Sequence, residues 1–151
     1  MEIKKFSREV AGILPQIHVE MLKQQPPALM KSGITFSQMV ILGILGGKRD
    51  SRMGDLSKTL GVTKSAATGI VDRLLKAGLI RRSRSKADRR VVRIALTSKG
   101  RSLSKKIDNF KLNAICGLFS NISQKERMQY LVILRKLGKN IQSKLEYKFY
   151  G

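Results

Sequence analysis

This sequence predicts a mainly α-helical chain with one small β-hairpin, and three observations carry the prediction. Apolar residues recur at helical spacing along most of the chain. Near the middle, two helical stretches are separated only by a helix-breaking Gly61 and a capping Thr63. Directly afterwards ADRRVVRIALTSKG, residues 87–100, interleaves apolar and basic residues like a strand and stops at a glycine.

The elements follow in order. Phe6, Val10, Ile13, Leu14, Ile17 and Met21 give 5–23 an apolar stripe, and Pro15 inside it predicts a kink or a split into two helices. QQPPALMKSG, 24–33, reads as a connector. Thr35 and Gln38 make a capping box ahead of MVILGIL, so 35–46 is a short helix buried on most sides. GGKRD ends it. A short helix at 53–60, a turn at Gly61 and a longer helix at 64–77 come next, with Gly78 as the stop. Ala66, Ile70 and Leu74 mark the inward face of the longer helix. Small residues at Ala66, Ala67 and Gly69 allow close approach to a neighbouring surface. This is the sequence form of a helix-turn-helix, with an ordinary helical hairpin as the competing reading.

A strand start at 79–82, a basic tip RSRSKAD at 82–88, and Val91, Val92, Ile94 and Leu96 on a returning strand complete a hairpin. The layout is then a winged helix-turn-helix. Thr97 caps a helix near 98–119 bearing Leu103, Ile107, Phe110, Leu112, Ile115, Leu118 and Phe119. Ser123 and Glu126 form a second capping box, and Met128, Leu131, Val132, Leu134, Leu137, Ile141 and Leu145 mark a helix over 124–147. The first helix and the last two show more apolar surface than a small wing domain covers. Their simplest use is a subunit interface, with packing into an intrachain bundle as the alternative. The expected division is 1–34 for an N-terminal dimerisation helix and connector, 35–97 for DNA binding, and 98–151 for C-terminal dimerisation helices.

Charge narrows the partners. Of 151 residues, 31 are Lys or Arg and 10 are Asp or Glu, a net +21 that favours a polyanion, either nucleic acid or an anionic membrane surface. The density peaks over 64–93, with ten basic and two acidic side chains. One Cys and one His exclude a Cys/His zinc site and a disulfide scaffold within the chain. No signal-peptide pattern and no run near the length of a membrane span is visible, so a cytoplasmic protein is expected. No phosphate-cradling glycine loop, metal motif or nucleophile elbow points to an enzyme or a cofactor.

The exposed N-terminal end of the 64–77 helix holds Lys64, Ser65, Ala67 and Thr68. Ser65 and Thr68 can meet base edges, Ala67 a thymine methyl group, and Lys64 a base or a phosphate. Arg73 is read as a phosphate ligand or as a partner of Asp72 or another acidic group. At the wing, Arg84, Lys86, Arg89 and Arg90 suit a narrow minor groove, which concentrates negative potential.

The segment 37–101 resembles the multiple-antibiotic-resistance regulator (MarR) family of bacterial and archaeal transcription factors. The likeness rests on Phe36, Ser37, Gln38; on Asp55, Leu56, Ser57 and Leu60, Gly61, Val62, Thr63; on Ile70, Val71, Asp72, Arg73, Leu74; and on Gly78, Leu79, Ile80, Arg81, Arg82. Asp88, Arg89, Arg90 followed by Leu96, Thr97, Ser98, Lys99, Gly100 is its strongest part. The resemblance implies an intertwined homodimer that places one helix per subunit in a major groove of double-stranded DNA and a wing along the minor groove. It also implies that Asp88 orients a wing arginine, Arg90 before Arg89, where an Asx turn is the plainer role. A small phenolic or lipophilic anion is the family's usual effector, and no residue here fixes one. Where the family often has Asp-Pro before its Asp-Arg-Arg unit, this chain has Ser85 and Lys86, which adds phosphate attraction at the tip. Cys116, amid apolar residues, reads as a buried inert thiol. The expected function is a sequence-specific DNA-binding regulator, a repressor at a palindromic operator released by such an anion. An architectural DNA-binding protein of winged-helix type is the rival.

Overall fold

The computed structural model describes residues 1–84 and 91–150, and the side chains of all of these but Ala28 and 142–150. The elements are α1 (Ile3–Lys23), α2 (Pro27–Lys31), α3 (Phe36–Gly46), β1 (Ser51–Arg52), α4 (Met53–Leu60), α5 (Lys64–Lys76), β2 (Ile80–Arg84), β3 (Val92–Leu96), α6 (Ser98–Leu118) and α7 (Gln124–Tyr150). The chain is therefore mainly helical with one small sheet.

The core lies between α2 and the first half of α6. Leu29, Ile41, Leu42, Leu45, Leu56, Ile70, Val71, Leu74, Leu79, Ile80, Ile94, Leu96 and Ile107 form one buried cluster. α3 runs through its middle, started by the expected capping box: Thr35 Oγ1 accepts from Gln38 N–H at 3.4 Å and Gln38 Oε1 accepts from Thr35 N–H at 2.8 Å. Ser104 of α6 ties the two helices by donating to the Leu42 carbonyl at 3.1 Å.

Three expectations change. The connector contains α2, opened by Pro27 at a position where a missing N–H costs nothing, and anchored by Leu29 at 3% exposure. β1 went unread: its two residues pair antiparallel with β3, Ser51 with Ile94 and Arg52 with Arg93, making the hairpin a three-stranded sheet of order β1-β3-β2. Pro15 does not split α1, which runs unbroken from Ile3 to Lys23. Proline supplies no donor to the Ala11 carbonyl, but Ala11 is exposed, so water can hydrate it.

Neither end of the chain joins the core. α1 has no buried residue. α7 meets the end of α6 where Tyr130 tilts against Phe119, ring centroids 5.1 Å apart. Among the described residues, no helix is long and apolar enough to cross a membrane.

Candidate nucleic-acid interface

Backbone geometry sets the turn between α4 and α5. Gly61 adopts φ 66°, a left-handed conformation that glycine takes without steric cost. Val62 N–H then returns to the Ser57 carbonyl at 3.1 Å and closes α4. Thr63 opens α5, its hydroxyl accepting from Ala66 N–H at 3.2 Å.

Burial fixes the rotation of α5. Ala67, Ile70, Val71 and Leu74 are its buried residues. Ala67 is fully buried, so the thymine-methyl role read for it does not hold; Ala66 is the exposed alanine. At about 100° per residue the four buried positions span about 100°, and Ala66 lies about 90° from their centre. Lys64, Ser65, Ala66, Gly69 and Arg73 are exposed, and Thr68 is half-buried. The Thr68 hydroxyl donates to the Lys64 carbonyl at 2.8 Å, which leaves it free mainly as an acceptor. No atom lies within 4 Å of a Cβ built on Gly69, so this face is open to a close neighbour.

The wing begins where α5 ends. β2 and β3 pair from Ile80 with Leu96 to Arg84 with Val92. Asp72 of α5 pairs with Arg82 of β2 at 2.7 Å, so it is not Arg73's partner. Among the described residues Arg73 has no carboxylate partner and stands exposed. The Asp72–Arg82 pair is 46% and 41% exposed and contributes little to stability; it bridges the wing strand and α5. Arg84 ends β2, exposed. Lys86, Asp88, Arg89 and Arg90 lie outside the described residues.

Behind the wing, Thr97 caps α6 and hooks it to the preceding turn. Its hydroxyl accepts from Gly100 N–H at 3.1 Å and donates to the Gly78 carbonyl at 2.7 Å. Gly100 sits against the Leu79 carbonyl so closely that a Cβ there would overlap it. The motif Leu96, Thr97, Ser98, Lys99, Gly100 is thus a joint between wing and α6.

The sequence profile of the MarR family matches residues 34–92, the stretch that runs from the start of α3 to the start of β3. The chain is 31% identical over 120 residues to the transcriptional repressor MprA of Escherichia coli strain K12, covering 78% of this chain and 68% of that protein. This chain belongs to the MarR family. It is also 29% identical over 143 residues to YsmB of Bacillus subtilis strain 168, an uncharacterised helix-turn-helix regulator, covering 95% of this chain and 93% of that one. Among solved structures, a MepR-like protein complexed with pseudoligands is 33% identical, with a TM-score of 0.61 over 92% of this chain and 95% of that one. As a MarR-family protein the chain is a winged helix-turn-helix DNA-binding transcriptional regulator and not an enzyme. Sequence reasoning missed Ala66 as a surface residue and the Asp72–Arg82 tie. The first was findable by counting Val71 into the buried stripe.

Proposed function

We propose that this MarR-family regulator is a cytoplasmic repressor that binds a palindromic operator as a homodimer. The observation that carries the reading is the start of α5, with Lys64, Ser65 and Ala66 exposed and Thr68 half-buried, bridged through Asp72 and Arg82 to an arginine-ended wing strand. Lys64, Ser65 and Ala66 enter the major groove, and Arg73 and Arg84 take phosphates. Arg90, oriented by Asp88, reads the minor groove with Arg89 and Lys86 beside it. No Asn, Gln or Arg stands at the leading end of α5, so DNA shape carries much of the specificity.

Dimerisation uses 1–34 and 98–151 around the DNA-binding unit 35–97. It is supported by the apolar side chains that α1, α6 and α7 leave in water: Leu14 is 56% exposed, Leu112 62% and Ile141 59%. Burial of apolar surface contributes about 25 cal/mol per Å², which makes such faces adhesive. Cys116 belongs to the same surface. It is exposed in the single chain, against the expectation of a buried thiol, because the apolar residues around it on α6 face away from the core. Release by a small lipophilic or phenolic anion fits the repressor name of MprA and the ligand-bound MepR-like relative.

The test is selection of duplexes from a random pool, followed by footprinting of the winners. Paired protection about one helical turn apart on one face of the duplex is expected. Protection without dyad symmetry, or equal affinity for selected and random duplex across salt, favours the architectural reading that the net charge of +21 supports.

A further inference from the structure

The outer face of the wing sheet carries an arginine cavity that the helix-turn-helix does not use. β3 is the middle strand, and its alternation sends Ile94 into the core while Arg93 and Ala95 take the opposite face. Register places Ser83 beside Arg93 and Arg81 beside Ala95. The turn before β1 adds Arg49 and Asp50, and Arg84 stands at the end of β2. Together these residues line a half-open cavity of about 440 Å³.

Among the described residues, Arg49, Arg81 and Arg93 share the site with one carboxylate, that of Asp50. Asp50 is committed to Arg93 at 2.8 Å, and both are about one-third exposed. Among the described residues Arg49 and Arg81 have no carboxylate partner, so their charges face the concavity uncompensated. Such convergence is unfavourable until an anion fills it. Arginine forks match phosphate oxygens two at a time. Among the described lining residues Ala95 is the only apolar one, which offers little wall to a lipophilic anion.

We propose that this cavity binds a small molecule bearing adjacent phosphates, the chemistry shared by inorganic pyrophosphate and the nucleoside di- and triphosphates. Arg49 and Arg81 hold the phosphates, and Asp50 fixes Arg93 beside them. The site is on the face opposite Arg82, which Asp72 holds toward α5, so ligand and recognition helix occupy separate surfaces.

The probe is pyrophosphate, titrated calorimetrically into the full chain at near-physiological salt. Saturable binding at one site per chain is expected. Arg49→Gln with Arg81→Gln should weaken it at least about tenfold. Lys105→Gln with Lys106→Gln removes the same charge from exposed positions on α6 and should change it by no more than about twofold. Circular dichroism checks that each variant is folded. Equal weakening by both pairs, or binding that never saturates, overturns the proposal. So does absence of pyrophosphate binding combined with loss of duplex affinity in the Arg49 and Arg81 variant, which would assign the cavity to the DNA backbone. The titration contains no DNA, so failure of the operator reading leaves it intact.

Discussion

Replacing Gly100 by alanine strikes the joint between wing and α6. A Cβ at this position would overlap the Leu79 carbonyl oxygen and stand 2.8 Å from its carbon, both backbone atoms that no rotamer change can move. The first turn of α6 must therefore withdraw from the turn after α5. Three hydrogen bonds cross that gap: Thr97 N–H to the Leu79 carbonyl at 3.1 Å, Thr97 Oγ1 to the Gly78 carbonyl at 2.7 Å, and Lys99 Nζ to the Ala77 carbonyl at 3.0 Å. Each contributes about 1 kcal/mol net, and the exposed lysine less. With the disturbed packing of Leu79 and Ile80, each 3% exposed, the loss comes to about 2–4 kcal/mol. Alanine's better helix propensity returns about 1 kcal/mol, leaving Gly100→Ala destabilised by about 1–3 kcal/mol. Urea unfolding followed by circular dichroism measures this, at fixed protein concentration because the stability of any oligomer depends on it. Gly69→Ala is the control: it is helical and open, and should gain up to about 1 kcal/mol. If Gly100→Ala unfolds within about 0.5 kcal/mol of the parent, close approach to Leu79 is not what the glycine serves.

Light scattering in moderate salt should report about twice the 16.9 kDa chain mass, and a monomer at micromolar concentration would refute the dimer. Asp88→Ala should weaken binding to a selected duplex while leaving random duplex equal or tighter, although it adds positive charge; equal tightening of both would reduce Asp88 to a stray negative charge. Arg90→Ala should cost about 1–3 kcal/mol at the selected site and flatten the salt dependence, both measured in the same titration. At the start of α7, the Ser123 hydroxyl and backbone N–H hold the Glu126 carboxyl below its ordinary value. A depressed carboxyl stabilises the fold above its unfolded pKa, and that help is lost as pH falls through the folded value. Ser123→Ala should move the Glu126 titration upward toward an ordinary glutamate by carboxyl NMR; an unmoved titration contradicts the assignment.

Local rules made most of the helices legible. Capping boxes act within a few residues, so Thr35 with Gln38 and Ser123 with Glu126 marked true helix starts. β1 has two residues, too few to show a period, and exists because β3 offers it an edge 43 positions away, as from Ser51 to Ile94. α2 depends on Leu29 reaching a core built from distant elements. The phase of α5 was ambiguous because Ala66 and Ala67 are adjacent and both small; Val71, three residues before Leu74, decides it. Cys116 shows the limit of composition: apolar neighbours indicate a surface that avoids water, not which chain covers it. Of the residues read on α5, Lys64, Ser65 and Arg73 stand exposed, Thr68 is half-buried and Ala67 is buried. The Asp72–Arg82 tie could not be read, since ten residues and a turn separate its ends.

The unbroken run of α6 makes it a lever. Its 21 residues extend about 32 Å, the near end clamped to the wing by Thr97 and Gly100 and the far end carrying Leu112, Ile115 and Cys116 in the open. The near end is joined to β3 and the wing strand is bridged to α5 by Asp72 and Arg82, so on the repressor reading the DNA-binding lobe would follow α6. A tilt of only about 5° about the far end carries that lobe about 3 Å along the duplex, close to one base-pair step. On the repressor reading proposed above, a molecule wedged against the far end would need no contact with α5 to throw it out of step with the groove.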